Sequence, residues 1–254
     1  MNAFGTLFKR EMQAIFLSPL VYIFAVVILS YQGFTFVWGI NALTTQGPEF
    51  SQQQLVDLFF GGNIFYWFLL IAMVTALTMR LFAEEKRSGT LETLLTAPVT
   101  DLQVVLAKYL GALAFFVLLC APTALYFAFL GARGLDLGLL AGAYTGLLLL
   151  GALYVAVGCL ISSACTNQVV AAILTFVGLA VLSFLPLLVS TSTVENEAIK
   201  KTAAYLNFFP VGSHSGLADF NRGLASLGHV LYPLSGIVFC LFLACRILES
   251  RSWK

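Results

Sequence analysis

Six long apolar runs divide the sequence, and they limit the possible fold more than any other feature. A helix needs about 20 mostly apolar residues to cross the hydrocarbon core of a bilayer. The chain is 60% hydrophobic and 10% charged, whereas soluble domains carry about 25% charged residues. The runs lie near Pro19 to Gly39, Ile64 to Met79, Leu106 to Leu130, Leu139 to Ile161, Val169 to Val189 and Val230 to Cys245.

These runs predict an all-helical, polytopic membrane protein with six transmembrane helices in one domain that covers residues 1–254. Each run is continuously apolar rather than alternating, which argues against a transmembrane barrel. The second run is the shortest, and Gly61 and Gly62 would extend it. The chain carries no internal repeat, no low-complexity segment and no soluble domain.

The distribution of cations predicts that both termini are cytoplasmic, which places the protein in the cell (inner) membrane. Cytoplasmic loops carry an excess of Lys and Arg. With a cytoplasmic N-terminus, nine of the 13 Lys and Arg residues lie inside and four lie outside. Those outside are Arg133, Lys200, Lys201 and Arg222. The first run is too long for a signal peptide and lacks a clean cleavage site, so we expect an uncleaved helix.

Shorter amphipathic helices are predicted beside the spans. Phe4, Leu7, Phe8, Met12 and Ile15 recur at helical spacing and indicate an interfacial helix. The alternative is an extension of the first span, but Pro19 after Ser18 favours a break. On the external side, a short helix is expected around Ile199 to Leu206.

The connections between these helices are also expected to be short. Asn41 to Phe60 is interpreted as a modest external connection, and Ser162 to Gln168 as a cytoplasmic turn. Pro210 to Gly216 is expected to break the external helix, and Leu217 to Gly228 to form a re-entrant or interfacial helix pair. The glycines at 138, 142, 146, 151 and 158 are interpreted as packing surfaces that let helices approach closely.

Several classes of protein are disfavoured by the residues that the chain lacks. It contains no Gly-Lys dipeptide and therefore no P-loop, and neither GxSxG nor HExxH occurs. The middles of the six runs carry no Asp, Glu, Lys, Arg or His, which argues against a proton-driven transporter. Sodium sites built from carbonyl and hydroxyl oxygens remain open. The five cysteines and two histidines form no metal or disulfide pattern.

The most polar segment, RLFAEEKRSGTLETLLTAP, covers Arg80 to Pro98 and follows the second run. Leu91, Leu94 and Leu95 share one face of a helix, which predicts a short amphipathic helix parallel to the membrane. Pro98 ends this helix, and Thr100 or Asp101 can cap the next one. The alternative is a solvated loop with ordinary anchoring charges.

Three stretches resemble ABC-2 type transporter permeases. AEEKRSGTLETLLTAPVTDLQVVLAKYLGAL is similar to their cytoplasmic segment, with an acidic run, a Gly-Thr-Leu-Glu core and a Lys at the foot of the third span. VGCLISSACTNQVVAAIL resembles their turn between the fourth and fifth spans, although Cys165-Thr166 stands where a basic residue is expected. The ending ADFNRGLASLGHVLYPLSGIVFCLFLACRILESRSWK is similar to the gliding-motility-associated branch.

The resemblance implies a non-enzymatic permease subunit that couples ATP hydrolysis to export or to work on the cell envelope. Its implied partners are two copies of an ABC ATPase, which would bind the ATP and Mg, and a second permease chain in a homodimer. An accessory envelope protein and membrane lipid complete the set; no cofactor in this chain and no nucleic acid are implied. The alternative is a non-transporting membrane anchor or scaffold that recruits a cytoplasmic partner.

The resemblance also implies a coupling helix after the second span, which seats in a cleft of the ATPase. The residues that match it here are Glu84, Glu85, Lys86, Arg87, Ser88, Gly89, Thr90, Leu91 and Glu92.

Overall fold

A computed structural model describes residues 3–45, 51–89, 100–131, 136–191, 197–206, 216–223 and 227–250. Within these ranges the chain is helical and contains no strand. Six stretches are long and apolar enough to cross a membrane, which confirms the predicted fold class and number of spans. They are Pro19–Thr45, Gln52–Ser88, Asp101–Ala128, Leu137–Ala164, Gln168–Val189 and Leu227–Glu249.

The described helices, numbered in chain order, are α1 Ala3–Phe16, α2 Pro19–Thr45, α3 Gln52–Phe59, α4 Ile64–Thr78, α5 Ala83–Ser88, α6 Asp101–Gly131, α7 Leu137–Ala164, α8 Gln168–Thr191, α9 Glu197–Leu206, α10 Gly216–Asn221 and α11 Leu227–Glu249. Helices α4, α6 and α7 form the buried centre of the bundle. Helices α2, α8 and α11 expose wide apolar faces, as expected of helices that face lipid.

Helix α7 packs against α4, α6, α8, α10 and α11, and its glycines make this possible. A Cβ added at Gly151 would lie 2.1 Å from the ring of Phe116, and one at Gly142 would lie 2.2 Å from the carbonyl oxygen of Phe220. No side chain fits at such distances, so the neighbouring elements approach the backbone of α7 directly. The predicted packing role is confirmed for these two glycines.

The chain breaks between α1 and α2, as the sequence predicts. Leu17 and Ser18 leave the helix, and Pro19 occupies the first position of α2, where a proline costs no hydrogen bond. Helix α1 packs along α6 and buries Leu7 and Ile15. It is therefore a separate helix and not an extension of the first span.

The connection expected from Asn41 to Phe60 contains more helix than we predicted. Helix α2 continues to Thr45, and Ser51 begins the separate helix α3 with a capping box. The Ser51 hydroxyl accepts from Gln54 N at 3.2 Å, and Gln54 Oε1 accepts from Ser51 N at 2.7 Å. A Ser three residues before a Gln is a sequence signal for the start of a helix, but our sequence analysis did not predict α3.

The second membrane-length stretch, Gln52–Ser88, includes Gly61 and Gly62 as expected, but the two glycines form a turn within it and not a continuous helix. Gly61 adopts a φ of +130°, which only glycine tolerates readily, and the chain turns there between α3 and α4. The indole Nε1 of Trp67 donates to the carbonyl oxygen of Gly61 at 2.9 Å. The glycines therefore separate two helices.

Near this turn, α10 joins α3 and α11 through polar contacts. Asn221 Nδ2 donates to Asp57 Oδ1 at 2.8 Å, and His229 Nδ1 lies 3.2 Å from Asp219 Oδ2. The helix predicted around Ile199 to Leu206 is confirmed as α9, which packs on α8; its external location stays a prediction. The predicted break lies outside the described residues except for Gly216, where α10 begins.

Candidate functional site

Four charged side chains meet at one end of the bundle and connect three helices. Lys108 Nζ of α6 lies 3.0 Å from Glu11 Oε2 of α1 and 2.9 Å from Glu85 Oε1 of α5. Arg10 Nη2 lies 3.2 Å from Glu11 Oε1 and 2.9 Å from Glu85 Oε1. We call Arg10, Glu11, Glu85 and Lys108 the charge network. The end of the helical bundle at which they lie is called the charged end.

The charge network is buried to different depths. The exposed fraction is 1% for the Lys108 side chain, 7% for Glu11 and 17% for Glu85, whereas Arg10 is 54% exposed. Buried charges are tolerated when they are paired and hydrogen-bonded, and two cations here meet two carboxylates. Lys108 Nζ also lies 5.4 Å from the centre of the Phe82 ring, a favourable cation–π arrangement.

Local sequence places α1 against α6 at this point. Glu11 follows Leu7 and precedes Ile15 at spacing four, so all three lie on the buried face of α1. On α6, Gly111 follows Lys108 by three residues, and a Cβ added there would lie 3.4 Å from Glu11 Cβ. Helices α1 and α6 are therefore close enough at this point for the Glu11 carboxylate to reach Lys108.

Helix α5 is short, and its charges favour its formation. Glu84 and Glu85 lie in its first turn and Lys86 and Arg87 in its last, which complements the helix dipole. Gly89 ends the helix with a φ of +74°, the left-handed conformation common after the last residue of a helix.

Two serines at the end of α7 hold α5 in place. The Ser162 hydroxyl accepts from the backbone N–H groups of Phe82 at 3.1 Å and Ala83 at 3.3 Å. The Lys86 ammonium donates to the carbonyl oxygen of Ser163. The first N–H groups of a helix lack hydrogen-bond acceptors within the helix. Ser162 supplies an acceptor for the N–H groups at the start of α5.

Helices α4 and α7 are in close contact at Gly158, four residues before Ser162. A Cβ added at Gly158 would lie 2.2 Å from Thr78 Oγ1, so the glycine is required for this contact. Thr78 itself is fully buried and donates to the carbonyl oxygen of Val74 at 2.8 Å. The last turn of α4 therefore rests directly on α7, immediately before the chain enters α5.

The predicted coupling residues divide into two sets. Glu84, Arg87, Ser88 and Gly89 are exposed, whereas Glu85 and Lys86 are half-buried and contact α1, α6 and α7. Thr90, Leu91 and Glu92 lie outside the described residues, as does the predicted leucine face. The expected cap at Thr100 is confirmed, because its hydroxyl accepts from Gln103 N at 3.4 Å.

Sequence reasoning missed the contributions of Glu11, Ser162 and Ser163 to this site. The signal for Glu11 was a single carboxylate on the apolar face of α1. The serines fall in a turn that carries no charge, and nothing local distinguishes them from ordinary turn residues. In the described part of the chain, no three His, Cys, Asp or Glu residues group as metal ligands would.

Comparison with known families identifies the class of protein to which this bundle belongs. The sequence model described as "ABC-2 family transporter protein" matches residues 37–245, which is well over half of the chain. A search of curated proteins finds no match. The matched region contains α5 and Lys108, whereas Arg10 and Glu11 precede it. With six helices of membrane-spanning length and this match, the chain is a multi-pass membrane protein that belongs to the ABC-2 transporter family.

Proposed function

We propose that this chain is the transmembrane permease subunit of an ATP-binding-cassette transporter. It couples ATP hydrolysis by a separate ATPase subunit to export or to work on the cell envelope. Membership of the ABC-2 family supports the permease role. In this proposal both termini are in the cytoplasm and the charged end faces it, because most of the cations then lie inside the cell.

The observation that carries this proposal is the division of α5 into two faces. Glu84, Arg87 and Gly89 are exposed at the charged end and offer a contact for an ATPase. Glu85 and Lys86 instead reach the bundle, where they contact α6 and the end of α7. One short helix thus has an outward docking face and an inward face joined to the spans.

The mechanism follows from these contacts. Closure of the ATPase pair around ATP pushes on the exposed face of α5. The Glu85–Lys108 pair carries the displacement to α6, and Glu11 carries it to α1. Ser162 and Lys86 carry it to the connection between α7 and α8. Packed helices move as rigid units, so the permease shifts between inward-facing and outward-facing states.

The complete machine in this proposal contains a homodimer of permease chains, two ATPase subunits and an accessory envelope protein. ATP and Mg bind to the ATPase subunits, because the permease sequence lacks a P-loop. The C-terminal stretch that begins at Ala218 supports assignment to the gliding-motility-associated branch. The complex sits in the cell (inner) membrane.

Substitutions on the exposed face of α5 test the proposal. In vesicles that contain the permease and its ATPase, Glu84→Lys and Gly89→Trp should abolish the stimulation of ATP hydrolysis by the permease. The first reverses a charge on the docking face, and the second forces a bulky residue into a left-handed conformation. Both variants should remain folded, because neither residue packs in the core.

Two matched variants serve as controls. Gly89→Asn should retain stimulation, because Asn tolerates the left-handed conformation. Glu249→Lys reverses a charge on α11 rather than α5 and should also retain it. Normal stimulation by Glu84→Lys and Gly89→Trp would refute the docking role. ATPase binding without ATP-driven substrate movement in these vesicles would instead identify a membrane anchor.

A further inference from the structure

A cavity of about 310 Å³ lies at the charged end, between the corner of α1 and α2 and the last turn of α4. Its lining includes the apolar side chains of Ile15, Val21 and Leu77. It also includes the partly exposed Arg80 and Glu84 and three members of the charge network, Glu11, Glu85 and Lys108. The cavity therefore suits an amphiphilic molecule with a charged head.

An apolar groove of about 420 Å³ adjoins this cavity. It runs between α2, α4 and α8, and its walls include Phe24, Met79 and Phe176. Ala76 lines both the groove and the cavity, so the two spaces are neighbours. Together they offer a charged compartment next to an apolar one, the arrangement that a phospholipid head and acyl chain require.

Two buried donors in these walls lack an acceptor within the described residues. Arg80 Nε is one, and the Thr75 hydroxyl in the groove is the other. Arg80 Nη1 donates to Ser18 Oγ at 3.2 Å, whereas Arg80 Nε forms only a 4.0 Å ion pair with Glu84 Oε2, which is beyond hydrogen-bonding distance. Buried donors are nearly always satisfied, and a phosphate oxygen and an ester carbonyl oxygen would satisfy these two.

The charges around the cavity indicate which phospholipid fits. Lys108 is already paired with Glu11 and Glu85 inside the charge network. Arg80 and Glu84 also line the cavity, and they form only a loose, partly exposed ion pair with each other. A ligand that pairs with both carries one phosphate and one ammonium group. A primary ammonium donates three hydrogen bonds, whereas the trimethylammonium of choline donates none.

We propose that the cavity and groove bind one aminophospholipid of the phosphatidylethanolamine type. Its phosphate pairs with Arg80, its ammonium pairs with Glu84, and one acyl chain lies in the groove along Phe24 and Phe176. The lipid then wedges between the α1–α2 corner and the start of α5. Membrane composition would in this way adjust the position of the proposed coupling helix.

Lipid exchange measured on the full-length permease tests this site without any ATPase, so its outcome is independent of the proposed function. The purified chain in mild detergent is stripped of lipid and given equal amounts of phosphatidylethanolamine, phosphatidylcholine and phosphatidylglycerol with identical acyl chains. Native mass spectrometry then counts the retained lipids. We expect one phosphatidylethanolamine per chain, preferred about tenfold over the other two, because a charge-assisted hydrogen bond supplies at least that factor.

Substitutions test each proposed contact between the protein and the lipid. Arg80→Ala should retain about tenfold less lipid, whereas Arg246→Ala, an exposed arginine on α11, should bind as the unaltered chain does. Glu84→Gln should bind lipid without distinguishing ethanolamine from choline. Ala172→Phe should fill the groove and prevent retention without a change in thermal unfolding. If Arg80→Ala does not fold, the head-group preference of the unaltered chain decides the question.

Three results would overturn the proposal. Equal retention of the three lipids would show ordinary annular lipid, and a preference for phosphatidylglycerol would contradict the assignment of Glu84. A photo-crosslinker at Ile173 that captures a second copy of the chain in membranes, rather than lipid, would show that protein fills the groove.

Discussion

At the scale of single residues, the side chain with the greatest consequence is Lys108. It is the eighth residue of the 31-residue apolar helix α6, yet the fold buries it with a 1% exposed fraction. Removing one partner of a buried ion pair leaves the other charges uncompensated, which is costly. Glu11 and Glu85 share Lys108 as their buried partner, because Arg10, which also pairs with both, is 54% exposed.

Lys108→Met should therefore lower the free energy of unfolding by about 3–5 kcal/mol. Thermal unfolding of the purified chain in detergent measures the loss. The double variant Lys108→Met, Glu11→Gln should recover part of it, because fewer buried carboxylates remain without a cation.

The pair of Arg246 and Glu249 provides the matched control. Its atoms lie 2.7 Å apart, but both side chains are exposed, and such pairs contribute less than about 1 kcal/mol. A similar loss for Arg246→Met and Lys108→Met would mean that the charge network is no more than a solvated surface cluster.

At the scale of elements, the central contact is the one between α5 and the end of α7. Helix α5 has only six residues and is too short to be stable alone. It persists because Ser162 accepts two of its first N–H groups and Glu85 pairs with Lys108. The position of α5 is thus set by its contacts with α6 and α7, and we expect α5 to move together with these helices.

Ser162→Ala should separate ATPase binding from coupling. The exposed face of α5 is unchanged, so the ATPase should still copurify with the permease. The N–H groups of Phe82 and Ala83 lose their acceptor, which costs about 1–3 kcal/mol, and stimulation of ATP hydrolysis should fall. Copurification and ATP hydrolysis in vesicles measure the two effects.

Ser235→Ala is the control, because Ser235 also bonds a backbone group but lies exposed on α11. Unchanged stimulation in Ser162→Ala would show that the contact between α5 and α7 does not transmit motion.

At the scale of the whole molecule, the charged end and the turn between α3 and α4 lie at opposite ends of α4, and the proposed topology puts them on opposite sides of the membrane. Helices α2 and α8 both begin at the charged end, so the same topology puts their last turns and α9 on the far side. The five native cysteines are buried and free. The chain is therefore a good background for introduced, exposed cysteines.

Labelling with a membrane-impermeant maleimide should show two groups of sites in intact cells. Thr44→Cys and Thr202→Cys should react, because they lie on the side that we propose to be external. Lys9→Cys and Ser250→Cys should react only after the membrane is opened, and the unaltered chain should not react. Labelling of Lys9→Cys in intact cells would reverse the proposed orientation, and labelling of only one of Lys9→Cys and Ser250→Cys would contradict an even number of spans.

Much of the fold followed from the sequence because membrane helices obey local rules. An apolar run of sufficient length must be helical in lipid, since its backbone groups can pair only with one another. Pro19 after Ser18 gave the correct break before α2, and the glycines at 142 and 151 identified contacts of α7. Helix α3 was missed because it is short and partly polar, although Ser51 and Gln54 carried its signal.

The sequence by itself determined six spanning helices, a charged segment after the second span and membership of one transporter family. Each of these depends on composition or order over a continuous stretch of chain. Only the tertiary structure brought Glu11 and Glu85 within 3.0 Å of Lys108 and placed Ser162 beneath α5. These contacts join residues 23 to 97 positions apart, and no local pattern indicates which buried charge will meet which. The physical reason is that pairing follows helix packing, which depends on the side chains of every helix at the contact.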